Sequence, residues 1–384
     1  MKYYIIAGEA SGDLHGSNLI KELKKLDDAA EVRCWGGDMM QEAGGNLVKH
    51  YRDLAFMGFA EVIKNMPVIL SNLKFCKEDI LRFKPDALIL IDYPGFNLRI
   101  ADWAKHQELF GPAGAKVVYY ISPQVWAWKE NRVKKMKKNI DKMIVIIPFE
   151  KEYFKSKWNW DVEYVGHPLV QVIDSYRSRV AGFEATVDDL PSTIIALLPG
   201  SRKQEIAKKL PIMLEVSKFF PNNQFTVAEA PSVEHEFYET YTKPFANVTA
   251  VKNQTYNLLM HAKAALVTSG TAALETALFG VPEVVCYKGS PISYQIAKRV
   301  IKVKYISMVN LIMNKPVVKE LIQHDLTVDN LKRELGELLT DERRIAEMKV
   351  DYAELKRKLS DDDHDSHGSA SEKAAKSIVD LLSK

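Results

Sequence analysis

The sequence predicts an α/β protein built from two successive doubly wound parallel sheets, and three observations predict it. Short apolar runs rich in Val, Ile and Leu, without polar alternation, recur between longer helical patterns, as parallel strands covered on both faces require. The strand–helix alternation pauses over residues 168–192, which are mixed and polar and end in Asp188-Asp189-Leu190-Pro191-Ser192, and then restarts in the same style. Finally, 384 residues with 47% hydrophobic and 27% charged side chains hold enough apolar material for two cores.

Taken in order, residues 3–7 read as a first strand, followed by the turn Gly8-Glu9-Ala10-Ser11-Gly12-Asp13 and a helix to about residue 25. Further strands are expected at 87–91, 117–121, 143–147 and 162–165. After the pause come a strand at 193–198, the loop Pro199-Gly200-Ser201-Arg202, a helix to about residue 220, and a strand at 224–228. The second half continues with a strand at 264–267, the loop Thr268-Ser269-Gly270, a helix at 271–279 and a strand at 283–287. Two such halves place a cleft between two Rossmann-like domains, at 1–170 and 193–359. Residues 360–371 read as an exposed linker, and helical spacing over 372–382 predicts a terminal helix within 370–384, expected to pack on the first domain.

Composition narrows the function. A net charge of +3 gives no reason to expect a nucleic-acid partner. Cys34, Cys76 and Cys286 lie far apart in or near apolar runs, so buried thiols in a reducing compartment are expected. Residues 3–7 lack a basic leader or a small-residue cleavage site, and no run approaches 18 apolar residues, so membrane contact is expected to be peripheral. No metal-ligand cluster is visible: His364 and His367 sit among aspartates in the linker, while His15 and His167 fall in loop contexts near the cleft.

Six segments carry candidate chemistry, each with a plainer alternative. Gly8, Glu9, Ser11, Gly12 and Asp13 mark a tight strand–helix turn whose amides attract anions, or a turn with no ligand; the glycine spacing is not the dinucleotide fingerprint. Ser269-Gly270-Thr271-Ala272-Ala273-Leu274-Glu275 leads straight into a helix, where a diphosphate can meet backbone donors and Glu275 can reach ribose hydroxyls; the alternative is a capped helix. Ser201 and Arg202 stand at a strand end as donors for a pyrophosphate, or as surface residues after a turn. Asp92, in Ile91-Asp92-Tyr93-Pro94-Gly95-Phe96-Asn97, ends an apolar strand, where partial burial would raise its pKa as a general base needs; a turn aspartate is the alternative. Seven basic residues from Lys129 to Lys142, beside Trp126 and Trp128, suit anionic head groups, a phosphate-bearing substrate or a solvated helix face. The apolar stretch 56–63, continuing through 66–70 and broken by Gly58 and Pro67, suits acyl chains or a membrane interface, or core packing.

These motifs occur in one order with Tyr120-Ile121-Ser122-Pro123-Gln124-Val125-Trp126-Ala127-Trp128, Pro148-Phe149-Glu150 and Val165-Gly166-His167-Pro168. Together they closely resemble the lipid-A-disaccharide synthase family, from residue 1 to about residue 325. The resemblance implies a two-domain GT-B type glycosyltransferase in the cytoplasm, peripheral on the inner face of the inner membrane. It would join UDP-2,3-diacylglucosamine to 2,3-diacylglucosamine 1-phosphate (lipid X), giving the β-1,6 disaccharide and UDP without a cofactor. It also implies Asp92 as base, UDP on the second-domain loops, Asn310 and Glu320 near the donor, and a homodimer that exchanges C-terminal segments. Gly95 departs from the pattern, where an aspartate is expected; Asp92 is then the one carboxylate of its motif. Rival readings are the transferase of the peptidoglycan lipid intermediate, a UDP-sugar 2-epimerase, or a catalytically inactive membrane-bound nucleotide-sugar sensor.

Overall fold

The computed structural model describes residues 1–53, 66–181, 193–290, 294, 303–361 and 368–383. They form two compact units, Met1–Pro168 with Leu359–Lys384, and Leu169–Lys358.

The first unit is organised by β1 (Lys2–Ala7), β2 (Glu31–Gly36), β3 (Asn46–His50), β4 (Ala87–Ile91), β5 (Lys116–Tyr120), β6 (Lys142–Val145) and β7 (Glu163–Tyr164). They pair in parallel in the order β3-β2-β1-β4-β5-β6-β7. The central strands β1 and β4 are buried almost throughout, which is why their sequences run apolar without alternation. On one face Tyr4, Trp35, Leu88, Leu90 and Tyr119 build a single core. Inside it Trp35 Nε1 donates to the Tyr4 hydroxyl at 2.8 Å, and that hydroxyl donates to Asp79 at 2.7 Å. The buried polar atoms thereby keep the partners that a low-dielectric interior demands. The helix Ala370–Leu382, capped by the Ser369 hydroxyl, packs against the first helix, Ala10–Leu26.

The second unit repeats the plan with β8 (Ile194–Leu198), β9 (Gln224–Glu229), β10 (Val248–Lys252), β11 (Ala262–Thr268), β12 (Glu283–Tyr287) and β13 (Lys319–Ile322). The order β10-β9-β8-β11-β12-β13 is again wholly parallel. Both sheets therefore reverse the direction of winding once. In the first unit this switch lies between β1 and β4, in the second between β8 and β11. A crevice opens outside the carboxyl ends of such a strand pair, because the two following loops run apart.

The sequence pattern missed β2, β3, β10 and β13, all of them at or next to a sheet edge. In the pause, residues 168–181 form the helix Pro168–Ala181, which belongs almost wholly to the second unit; residues 182–192 lie outside the described residues. The apolar stretch is described only from Met66, where the helix Met66–Phe83 begins; its part at 56–63 lies outside the described residues. On that helix Met66, Val68, Leu70 and Phe75 are exposed, while Ile69 packs against the core. In the basic segment, the helix Val133–Asn139 buries Val133 and Met136 and turns Lys134, Lys135, Lys137 and Lys138 to solvent. The three cysteines are buried free thiols. Among the described residues no helix is long and apolar enough to cross a membrane.

Candidate active site

Asp92 follows directly on β4, at the switch point of the first unit. Its backbone sits in the left-handed region (φ 43°), as does that of Tyr93 (φ 48°). Such conformations are uncommon for residues other than glycine and persist where surrounding contacts enforce them. The enforcement is visible. The Asp92 amide donates to the Tyr120 carbonyl at 3.1 Å, and its carbonyl accepts from the Tyr119 hydroxyl at 2.5 Å and from Asn97 Nδ2 at 2.8 Å. Asn97 is fully buried and also ties down the Ile6 and Ile91 carbonyls, locking the ends of β1 and β4 together. The carboxyl held this way has its pKa raised to about 6, first by burial and then by the like charge of Glu9. A turn aspartate in water would not be shifted so.

Glu9 stands at the end of β1 as the N-cap residue of Ala10–Leu26, and no side chain caps that helix. Gly8 is required by close approach, since a Cβ there would lie 2.3 Å from Cγ of Tyr93. Ser11 is exposed in the first turn, and Gly12 packs on Ala7. Asp13 is buried at the foot of the same turn. It is 3% exposed, and its carboxylate accepts from the amides of Gly37, Met39 and Met40 at 2.7, 3.2 and 3.0 Å. It caps the short helix Asp38–Glu42. His15 and His167 are likewise buried, and burial lowers them to about 4 and about 3, so both are neutral imidazoles.

At the switch point of the second unit, Gly270 ends the loop after β11 with φ 136°, a conformation open to glycine, and begins the helix Thr271–Leu278. Ser269 does not cap this helix. Its hydroxyl donates to the Ile306 carbonyl at 2.8 Å, and among the described residues the helix has no side-chain cap. Thr271 and Ala272 open that turn, the former exposed. The helix Lys203–Ser217 after β8 also starts without a side-chain cap, at Arg202. The Arg202 guanidinium is exposed and, among the described residues, held by a 3.4 Å contact with Glu205, while the Ser201 carbonyl accepts from Ser232. Elsewhere in this unit Ser307 and Thr327 cap their helices. The helices His235–Thr242 and Thr255–His261 also start without a side-chain cap, so free amides are not special to the switch point; what is special there is their place at the crevice, where an anion could take them.

Glu275 lies just over one turn into its helix. Its carboxylate accepts from the Tyr256 hydroxyl at 2.8 Å, and burial raises its pKa to about 7. Asn310 and Glu320 lie beside the segment that holds the Ser269 loop. Asn310 is 1% exposed and exchanges two 2.9 Å hydrogen bonds with the Val318 backbone. Glu320 accepts from Asn310, from the Ser307 amide and from the Ile306 amide. Together they brace the segment whose Ile306 carbonyl holds Ser269, so they act on the loop from behind.

One group escaped the sequence pattern, and a second entered it only within the motif Pro148-Phe149-Glu150, with no role given. Lys209, 3% exposed, donates to the Thr268 hydroxyl, and a Cβ on Gly200 would lie 3.4 Å from its ammonium. A buried cation thus sits beneath both switch-point loops, and burial lowers its pKa. One turn back towards the helix start, Glu205 gave the only hint in sequence, through i, i+4 spacing. Glu150 in the first unit is 1% exposed, accepts from Trp126 Nε1 at 3.0 Å and from the Ile147 amide at 3.2 Å, and is pushed by burial to about 8. Among the described residues no cluster of three or more His, Cys, Asp or Glu side chains could hold a metal ion.

Two parallel sheets, each with its ligand-type loops at the switch point, define a double Rossmann-like α/β protein of the GT-B type. Solved structures share this fold. The UDP-GlcNAc 2-epimerase of Neisseria meningitidis, bound to UDP-GlcNAc, is 14% identical with a TM-score of 0.64, over 100% of this chain and 99% of that one. The glycosyltransferase of kitacinnamycin is 15% identical with a TM-score of 0.61, over 99% of both chains. Sequence separates the two chemistries. The model of the lipid-A-disaccharide synthetase family matches residues 3–376, and the lipid-A-disaccharide synthase of Geobacter metallireducens is 37% identical over 385 residues, 99% of this chain and 97% of that protein. The chain belongs to this family and is a glycosyltransferase of lipid A biosynthesis.

Proposed function

We propose that the chain transfers the sugar of UDP-2,3-diacylglucosamine to 2,3-diacylglucosamine 1-phosphate, with direct inversion at the donor's anomeric carbon. Asp92 takes the proton from the acceptor's 6-hydroxyl as the oxygen attacks, and UDP departs from the opposite face through an oxocarbenium-like transition state. Charge developing on the diphosphate is met by Arg202, by the uncapped amides of the helix starting at Thr271, and by Lys209 below them. Glu275 receives the ribose. The first unit binds the acceptor and the second the UDP-sugar. The observation that carries this reading is Asp92, whose backbone is locked at a switch point and whose carboxyl is raised to about 6, poised to be ionised yet basic at neutral pH.

The exposed apolar side chains Met66, Val68, Leu70 and Phe75 support a peripheral place on the inner face of the inner membrane, where acylated substrates reside. The pairing of two copies through exchange of the helix Ala370–Leu382 would use the contact it makes with Ala10–Leu26. The test is incubation of the purified protein with both diacylglucosamine substrates and mass spectrometry for the disaccharide. Asp92→Asn is expected to abolish product while leaving UDP binding nearly intact; wild-type turnover in that variant removes Asp92 from the mechanism.

A further inference from the structure

Glu275 belongs to the helix Thr271–Leu278, but its carboxylate is fixed from outside that helix. Tyr256, in the helix Thr255–His261, donates its hydroxyl to Glu275 Oε1 at 2.8 Å. Aromatic packing restrains the phenol ring. Tyr176 packs edge-on against it with centroids 5.4 Å apart, and the Phe279 ring lies 5.2 Å away. Arg177 secures Phe279 in turn, with its guanidinium 5.3 Å from that ring and a 3.3 Å hydrogen bond to the Leu278 carbonyl. Among the described residues no cation pairs with Glu275, and its second oxygen, Oε2, has no hydrogen-bond partner.

A carboxylate buried without a cation is drawn towards its neutral form, because a low dielectric penalises the charge. Burial pushes Glu275 up to about 7, and the Tyr256 hydrogen bond opposes that push. Tyr256 keeps its proton, since burial and the neighbouring Glu275 both raise its pKa, so it is the donor of the pair. Other elements on this helix add nothing to the balance. The helix Met308–Met313 has no titratable side chain, and neither Lys263 of β11 nor Glu283 and Cys286 of β12 contributes to the Glu275 shift. Arg177 and Arg179 lie over the rings of Phe279 and Tyr176.

A neutral carboxyl accepts weakly, whereas a carboxylate accepts strongly at both oxygens. We propose that Tyr256 is a positioning residue for the nucleotide: it holds Glu275 charged and oriented through Oε1, so that Oε2 accepts from the ribose hydroxyls. This rests on the reading that Glu275 receives the ribose. The pair makes the enzyme select a ribonucleotide over its deoxy counterpart, through a phenol that lies outside the switch-point loops.

The test is calorimetric binding of UDP and of 2′,3′-dideoxyuridine diphosphate to the full-length protein between pH 6 and 9. The ratio of the two affinities cancels titration of the diphosphate, which both ligands share. Wild type is expected to prefer UDP, with a preference that rises through about pH 7 as Glu275 ionises and then levels off. Tyr256→Phe keeps the ring and loses the donor. Its preference at pH 7 should fall about tenfold, and its rise should move to higher pH. A wild-type preference that is absent, or flat with pH, overturns the ribose reading of Glu275 and the proposal with it. A wild-type rise that Tyr256→Phe leaves in place overturns the proposal alone, as does an equal weakening of both nucleotides, which would make Tyr256 a packing residue. Should Tyr256→Phe fail to fold, 3-fluorotyrosine in place of Tyr256 serves instead. Its more acidic phenol donates more strongly, so the rise should move to lower pH, and an unmoved rise overturns the proposal.

Discussion

If Asp92 is the base, the pH dependence of the reaction is set by two causes that can be separated. Its carboxyl is raised to about 6 by burial first and by Glu9 second. A base works only when ionised, so kcat/KM should fall as pH drops through the folded-state pKa. With that value near 6, roughly 90% of Asp92 is ionised at pH 7 and roughly 10% at pH 5, so the rate at pH 5 should be about a tenth of the plateau. Glu9→Gln removes the like charge but leaves the burial. The acid limb should therefore move below 6 without reaching the ordinary value of 3.8. Were it to reach pH 5, the rate there would stand at roughly half the plateau. The assay is the initial rate of disaccharide formation between pH 4.5 and 8.5, each variant normalised to its own plateau so that altered binding by Glu9 does not intrude. An acid limb that is absent in the wild type, or that stays in place or moves upward in Glu9→Gln, refutes the reasoning.

Lys209→Met keeps the stem that fills its buried site and removes the charge beneath the β8 and β11 loops. UDP binding measured by calorimetry should weaken by about 10- to 100-fold, the loss of a partly screened charge interaction of about 1.5–3 kcal/mol, while thermal stability changes little. Unchanged UDP affinity would make Lys209 a packing residue only. Asp13→Ala strips the cap from three amides and should lower stability by about 2 kcal/mol in denaturant unfolding, with KM for the acceptor unaltered. A variant as stable as wild type, with a raised KM for the acceptor, would make Asp13 a ligand-binding residue.

The site was legible in sequence where chemistry coincides with punctuation. Asp92, Arg202 and Gly270 each follow an apolar run and precede a helix, and a parallel sheet has to place such positions at its carboxyl edge. What a side chain does once there was less legible. Asp13 and Glu9 stand four residues apart in one motif, yet one faces a neighbouring helix start and the other faces Asp92. Serine before a helix suggested a cap at Ser269, but the hydroxyl turned to Ile306, a partner 37 residues on. No local pattern encodes such a choice, because it depends on which distant backbone group arrives alongside.

The chain's own pattern determined the fold class, the repetition of one sheet plan, and the strand ends where reactive groups collect. Those features follow from local rules: a strand buried on both faces must be apolar, and the loop leaving it must turn. Only the tertiary structure decided the sheet order and brought in the missed strands. β2, β3, β10 and β13 hold Glu31, Arg33, Lys49, Lys252 and Lys319, since strands near an edge keep contact with water and lose the apolar signature. The tertiary structure likewise decided which charges are buried. The shifted carboxyls of Asp92, Glu150 and Glu275 and the ammonium of Lys209 owe their properties first to burial, a quantity set by every element packed around them rather than by their neighbours in the chain.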